Sequence, residues 1–164
     1  MIVSDIRTHL LSVPYSDPPK TGVASFSSLE SNINLLVVEI ETDSGTVGTG
    51  HLHPIAGGMR TLDTCIHEML KPLLLGEDAT QVEALWQKMW AATYIQGRMG
   101  ITVMAMSALD VALWDALGRS EGKPLWELWG GSPDPLPIYG SGCFRGLGHD
   151  GMIEKAKRYV QRGF

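Results

Sequence analysis

His51 and His53 stand two residues apart at the end of a β-like stretch, TVGTGHLH, so both point to the same side of it. An HxH pair at a strand end can ligate a metal, but a complete site needs further ligands. His9, His67 and His149 follow no matching spacing. The pair therefore reads either as part of a metal site or as a polar strand end. Asp110 and Asp115 suggest acid–base chemistry until their spacing is considered. Five residues apart on a helix, they lie about 140° around its axis and cannot form a carboxylate pair on one face. Gly48-Thr49-Gly50 and Gly140-Ser141-Gly142 each begin like a dinucleotide-binding fingerprint, yet His53 and Arg145 stand where its third glycine belongs. Trp86 and Trp90, four apart, read as helix core, as do Met104 and Met106.

The elements that carry these residues are legible from periodicity. Residues 2–13 alternate loosely, carry β-branched side chains and end at Val13-Pro14, where proline stops ladder pairing. YSDPPKTGVASFSS follows as a long Pro-, Gly- and Ser-rich loop. NINLLVVEIET is a strand, Asp43-Ser44-Gly45 a tight turn and TVGTGHLH the hairpin partner. Together these predict a three-stranded antiparallel meander. After Gly57-Gly58 the period becomes helical, with Leu62, Ile66, Met69, Leu70 and Leu73 on one face and Pro72 near the end. A second helix is expected over 78–94, with Thr80 as N-cap, Glu83 completing a capping box, and Val82, Leu85, Trp86, Met89 and Trp90 as its buried stripe. A third, over 100–119, is rich in small residues (Ala105, Ser107, Ala108, Ala112, Ala116) that allow close packing on more than one side. LWELWGG adds a short turn.

At Ser132-Pro133-Asp134-Pro135 the organisation changes. LPIYGSG reads as a short strand, CFRGLGH as a loop and DGMIEKAKRYVQR as a helix, with Asp150 as N-cap and Gly163 at the C′ position. Strand, loop and crossover helix are two thirds of a βαβ unit whose second parallel strand is missing. Residues 133–164 therefore read as the truncated opening step of a parallel α/β structure, following a domain over 1–132.

Composition narrows the function classes. The 164 residues are 44% hydrophobic and 19% charged, ordinary values for a globular domain. No apolar run approaches the roughly 20 residues that span a bilayer, and Asp5 and Arg7 interrupt any signal-like start. No membrane partner is expected. Thirteen basic residues against eighteen acidic give a net charge of −5, which argues against binding nucleic acid. Two cysteines, Cys65 and Cys143, far apart and in no metal motif, suggest a reducing compartment, so a cytoplasmic location is expected.

Three stretches together resemble the mandelate racemase and muconate lactonizing enzyme family: VVEIETDSGTVGTG, AMSALDVALWDALGRSEGKPLWELWGG, and LPIYGSG with the helix ending at Arg162-Gly163-Phe164. The resemblance covers essentially the whole chain, and the ALDVALWDA run is its most specific part. It implies an α+β fold: an antiparallel meander followed by a helical bundle, the enolase-type capping domain, then the start of a TIM-like β/α barrel. Where many members have Gly-Glu, this chain has Gly50-His51, which leans towards mandelate racemase-like members and leaves sugar-acid dehydratases open.

The chemistry so implied is abstraction of the proton α to a carboxylate in a small carboxylic or hydroxy-acid substrate, with Mg²⁺ as cofactor of the full-length enzyme. In relatives a Lys-x-Lys pair follows a segment like Arg-Gly-Phe, and the acidic metal ligands lie on later barrel strands. No catalytic and no metal-ligating residue is therefore expected within these 164 residues, and the chain alone is expected to be inactive. The resemblance also implies a homo-oligomeric full-length enzyme. It places the substrate-selecting loops at 15–26 and 51–58. Thr21, Val23, His53 and Ile55 would line the pocket, Lys20 would meet a substrate carboxylate or be solvated, and Ser141 would be the barrel residue near substrate. The alternative is a non-catalytic, free-standing interaction module that keeps the capping fold.

Overall fold

The computed structural model describes residues 1–14, 32–54, 57–142 and 147–164. Three strands form one sheet in the order β1 (Val3–Pro14), β2 (Asn32–Thr42), β3 (Val47–Leu52). β2 and β3 are antiparallel, with Leu36 opposite Leu52, Val38 opposite Gly50 and Ile40 opposite Gly48. The turn between them closes through Gly45 N–H on Thr42 O at 2.9 Å, and Gly45 has a φ of +82° that a side chain would oppose. β1 runs antiparallel to β2, because its partners descend as its own numbers rise. Ile2 O accepts from Asp43 N–H, Arg7 pairs with Glu41 and His9 meets Glu39. The meander is as the alternation predicts.

One side of the sheet is apolar: Val3, Ile6, Leu36, Val38 and Ile40 are buried. Val3 and Ile6 are three apart, so the alternation slips by one residue there. Ile6 N–H turns to the Asp5 carboxylate (2.8 Å) and Ile6 O to the Lys71 ammonium (2.8 Å), so both are satisfied locally rather than left bare.

The helical run over 59–74 is α over Met59–Thr64 (α1), π over Cys65–Leu70 and α again over Lys71–Leu74 (α2). Pro72 has no N–H and its ring crowds the carbonyl four residues back, a conflict that the wider π turn relieves. The consequence is a shift of face. Leu62, Ile66, Leu70 and Leu74 are fully buried at a constant spacing of four, whereas a 3.6 period places Leu73 inside. Leu73 is only partly buried.

α3 spans Val82–Ala92 and starts later than its periodicity suggests. Thr80 is not its N-cap and no capping box forms. Instead the Asp78 carboxylate accepts the Thr80 N–H (3.0 Å) and hydroxyl (2.9 Å). Residues 76–79 are meanwhile held along β1: Val3 N–H donates to Glu77 O, Gly76 N–H to Val3 O and Ala79 N–H to Met1 O. Backbone groups committed to a strand edge cannot also start a helix. On α3, Val82, Leu85 and Met89 are buried, and Trp86 and Trp90 stack at 6.4 Å on the margin of the core.

α4, Ile101–Glu121, is the centre of the core, with Ala105, Met106, Ala108, Leu109, Ala112, Leu113 and Ala116 buried. Met104 packs at its side. The helix is long and apolar enough to match a membrane span by composition, but half of that window is buried inside the fold. Gly122 ends it at φ +64°, with its N–H on Arg119 O (3.2 Å) and Lys123 N–H on Gly118 O (3.0 Å), the two bonds of a Schellman closure. α5, Leu125–Leu128, follows.

Contacts divide the chain into one unit of Met1–Val13 with Asn34–Ser132 and a second that includes Pro133–Phe164. In the second unit, α6 spans Gly148–Gln161. Asp150 is not its N-cap but sits in the first turn, where a negative charge still suits the helix dipole. Gly163 has the positive φ (+85°) expected after a helix end. LPIYGSG is not a strand: residues 136–142 carry no helix or strand, and Leu136, Ile138 and Tyr139 are exposed. A strand exists through its ladder partner, and none is offered to this segment among the described residues.

Candidate functional site

Everything at the first unit's strand end depends on how closely β3 lies on α4. A Cβ on Gly48 would stand 2.1 Å from Ala112 O, and one on Gly50 would stand 2.0 Å from Ala108 O. Neither glycine has a positive φ, so each is needed for close approach and not for a turn. Alanines at 108, 112 and 116 complete the seam from the helix side. Asp115 locks it: its Oδ2 accepts the Thr49 N–H at 2.8 Å and the Arg119 Nε–H at 2.7 Å. The carboxylate that spacing separates from Asp110 is thus a structural tie between helix and strand.

With Gly48 and Gly50 against the helix, His51 and His53 lie on the opposite side of the strand. His51 is exposed and pairs in register with Val37. His53, half-buried just beyond β3, approaches Asn34 O at 2.7 Å through Nδ1. A carbonyl only accepts, so Nδ1 carries the hydrogen, and in the neutral ring Nε2 is left as an acceptor. His53 is therefore fixed in ring orientation and tautomer as it leaves the sheet. Among the described residues no group of three or more His, Cys, Asp or Glu side chains is gathered as metal ligands. The side chains described here do not fit a magnesium site.

Of the other expected site residues, Lys20, Thr21, Val23 and Ile55 lie outside the described residues. Ser141 belongs to the second unit. It is exposed, and its carbonyl accepts the Tyr159 hydroxyl at 2.5 Å.

Two polar clusters went unread in the sequence. The Thr8 hydroxyl bonds the Asp63 carboxylate and lies 2.8 Å from His67 Nε2. Asp63 and His67 are i,i+4, a signal of sorts, but nothing local announces Thr8. Lys71 Nζ lies 2.6 Å from the Asp5 carboxylate, and its hydrogen bond holds that acid below the ordinary carboxylate value. On the α3–α4 side, Asp110 lines a cavity of about 310 Å³ with Glu83, Trp86, Gln87 and Trp114. Burial pushes its carboxyl above the ordinary value.

Residues 7–130 match the model of the mandelate racemase / muconate lactonizing enzyme N-terminal domain. The chain belongs to this family, within the enolase superfamily. The match runs from within β1 through the glycine–alanine seam to just past α5. Over 163 residues the chain is 32% identical to a 3,6-anhydro-alpha-L-galactonate cycloisomerase of Streptomyces coelicolor, covering 99% of this chain and 44% of that protein. It is 35% identical over 168 residues to an arabinonate dehydratase of Saccharolobus solfataricus, again covering 99% and 44%. Among solved structures, a racemase from Streptomyces coelicolor A3(2) with bound magnesium matches at a TM-score of 0.85 and 33% identity, covering 99% of this chain and 45% of that one. This family member thus spans less than half the length of the relatives it matches.

Proposed function

We propose that the chain is the substrate-capping part of a longer, magnesium-dependent enzyme that abstracts the proton α to a carboxylate. Its class of reaction is racemisation, cycloisomerisation or dehydration. Residues 1–132 form the capping domain and 133–164 the first step of a β/α barrel. The observation that carries this reading is the match of residues 7–130 to the family's capping domain, built in this chain around the β3–α4 seam. The relatives' names favour sugar acids as substrates, since one acts on an anhydrogalactonate and another on arabinonate.

In this reading the loops at 15–26 and 51–58 choose the substrate. Thr21, Val23, His53 and Ile55 shape the pocket, Lys20 faces a carboxylate, and Ser141 contacts substrate. His53 Nε2 offers a hydroxyl group an acceptor of fixed direction. In this reading the ion's ligands and the catalytic base are assigned to the remainder of the longer protein. That protein is proposed to be a homo-oligomer of the cytoplasm.

The test is exchange of the α-proton of D-arabinonate, D-mannonate and mandelate in D₂O, followed by NMR. The full-length protein with magnesium is expected to remove the α-proton of at least one of them, seen as deuterium exchange or as loss of water to a 2-keto acid. The 164-residue chain is expected to stay at background. Magnesium-dependent exchange by the short chain would overturn the assignment.

A further inference from the structure

Gly140-Ser141-Gly142 is not a nucleotide fingerprint, yet both glycines are demanded by something. A Cβ on Gly140 would stand 2.7 Å from the ring of Tyr159. One on Gly142 would stand 2.5 Å from the Tyr159 hydroxyl oxygen and 2.8 Å from Lys155 Cε. Neither glycine has a positive φ, so the missing side chains make room for Tyr159 and do not relieve the backbone. Between them the Tyr159 hydroxyl donates to Ser141 O at 2.5 Å.

Tyr159 is itself held. Phe164 packs edge-on against its ring at 5.8 Å, and Phe164 N–H donates to Tyr159 O at 3.1 Å. Lys155, one helical turn earlier, sets its ammonium 6.0 Å from the ring centre. A ring fixed on α6 therefore bears on three consecutive residues that have no helix or strand of their own, and grips the middle one by its carbonyl. Ser141 remains exposed.

We infer that Tyr159 is the positioning residue for Ser141: it orients that serine towards substrate by holding its backbone, without touching substrate itself. This rests on the proposed reading of Ser141 as a substrate contact. It also assigns a reason to the Gly-Ser-Gly spacing, since a side chain at either glycine would displace the ring that fixes the serine between them.

The experiment is a double-mutant cycle in the full-length protein, with KM and kcat measured on whichever of D-arabinonate and D-mannonate it turns over. Tyr159→Phe keeps the ring and its contacts with both glycines and removes only the hydroxyl. One such hydrogen bond corresponds to about a 2- to 10-fold change. Tyr159→Phe is expected to raise KM by that factor with kcat and the melting temperature little changed. Ser141→Ala is expected to raise KM, and adding Tyr159→Phe to it should then do nothing further, because the residue being positioned is gone. Fully additive effects on KM, or equal loss of kcat and thermal stability from Tyr159→Phe alone, would overturn the positioning role. An unchanged KM in Ser141→Ala alone would instead sink the reading of Ser141 on which it rests.

Discussion

Gly50 shows how much one missing methyl group decides here. Its partner across the seam is a backbone oxygen of α4, Ala108 O, so an added Cβ at 2.0 Å cannot be accommodated by a rotamer change. Either the strand or the helix must move, against a core that is packed like a crystal. Gly50→Ala should therefore destabilise the fold by about 1–3 kcal/mol or more, the range of overpacked sites. Gly45→Ala is the control, because a Cβ there meets nothing within 4 Å and only its φ of +82° is penalised, at about 1–2 kcal/mol. Urea unfolding of the two variants beside the parent checks the order; a smaller loss for Gly50→Ala would mean the seam is looser than described. The sequence shows these glycines and the alanines opposite them. It does not show that they meet.

The helical run over 59–74 carries a similar lesson about elements. A strict α-helical period puts Leu73 in the core, whereas the π turn over Cys65–Leu70 rotates the following residues and buries Leu74 completely. Leu74→Ala should cost about 2–5 kcal/mol, as a buried leucine truncation does. Leu73→Ala should cost distinctly less. Equilibrium urea denaturation separates the two, and a larger loss at Leu73 would argue for an unbroken α-helix. Proline at 72 was visible, but the periodicity alone treats it as a helix end. Only the packing of the segment shows that the chain widens its turn and carries on. The late start of α3 has the same origin, since residues 76–79 are spent on the edge of β1.

For the whole molecule, the proposed division of labour makes a prediction about specificity. If loops 15–26 and 51–58 choose the acid while the remainder of the longer protein holds magnesium, pocket changes should alter preference without altering metal affinity. His53→Phe removes a directed acceptor, and Ile55→Tyr adds bulk and a hydroxyl. Each should shift kcat/KM between sugar acids and aromatic acids by roughly 10- to 200-fold, the worth of one altered pocket contact. The measurement is kcat/KM over a panel of acids, with a magnesium titration for each full-length variant. Uniform loss on every acid, or weakened magnesium binding, would show these residues to be structural.

Much of the fold is legible in the sequence alone. The meander followed from two-residue alternation and the Asp43-Ser44-Gly45 turn, the three long helices from apolar spacing, and the family from the glycine hairpin and the ALDVALWDA run together. These are local signals, carried by residues within one element or one turn of each other. What the sequence did not reveal depends on partners distant in the chain. Asp115 reaches Thr49 across 66 positions and Lys71 reaches Asp5 across the same number. Thr8 joins Asp63, and Tyr159 settles on Gly140 and Gly142. LPIYGSG has the composition of a strand and is not one, because a strand's hydrogen bonds are made by its neighbour. Local pattern sets what an element can be; its contacts across the fold set what each side chain does.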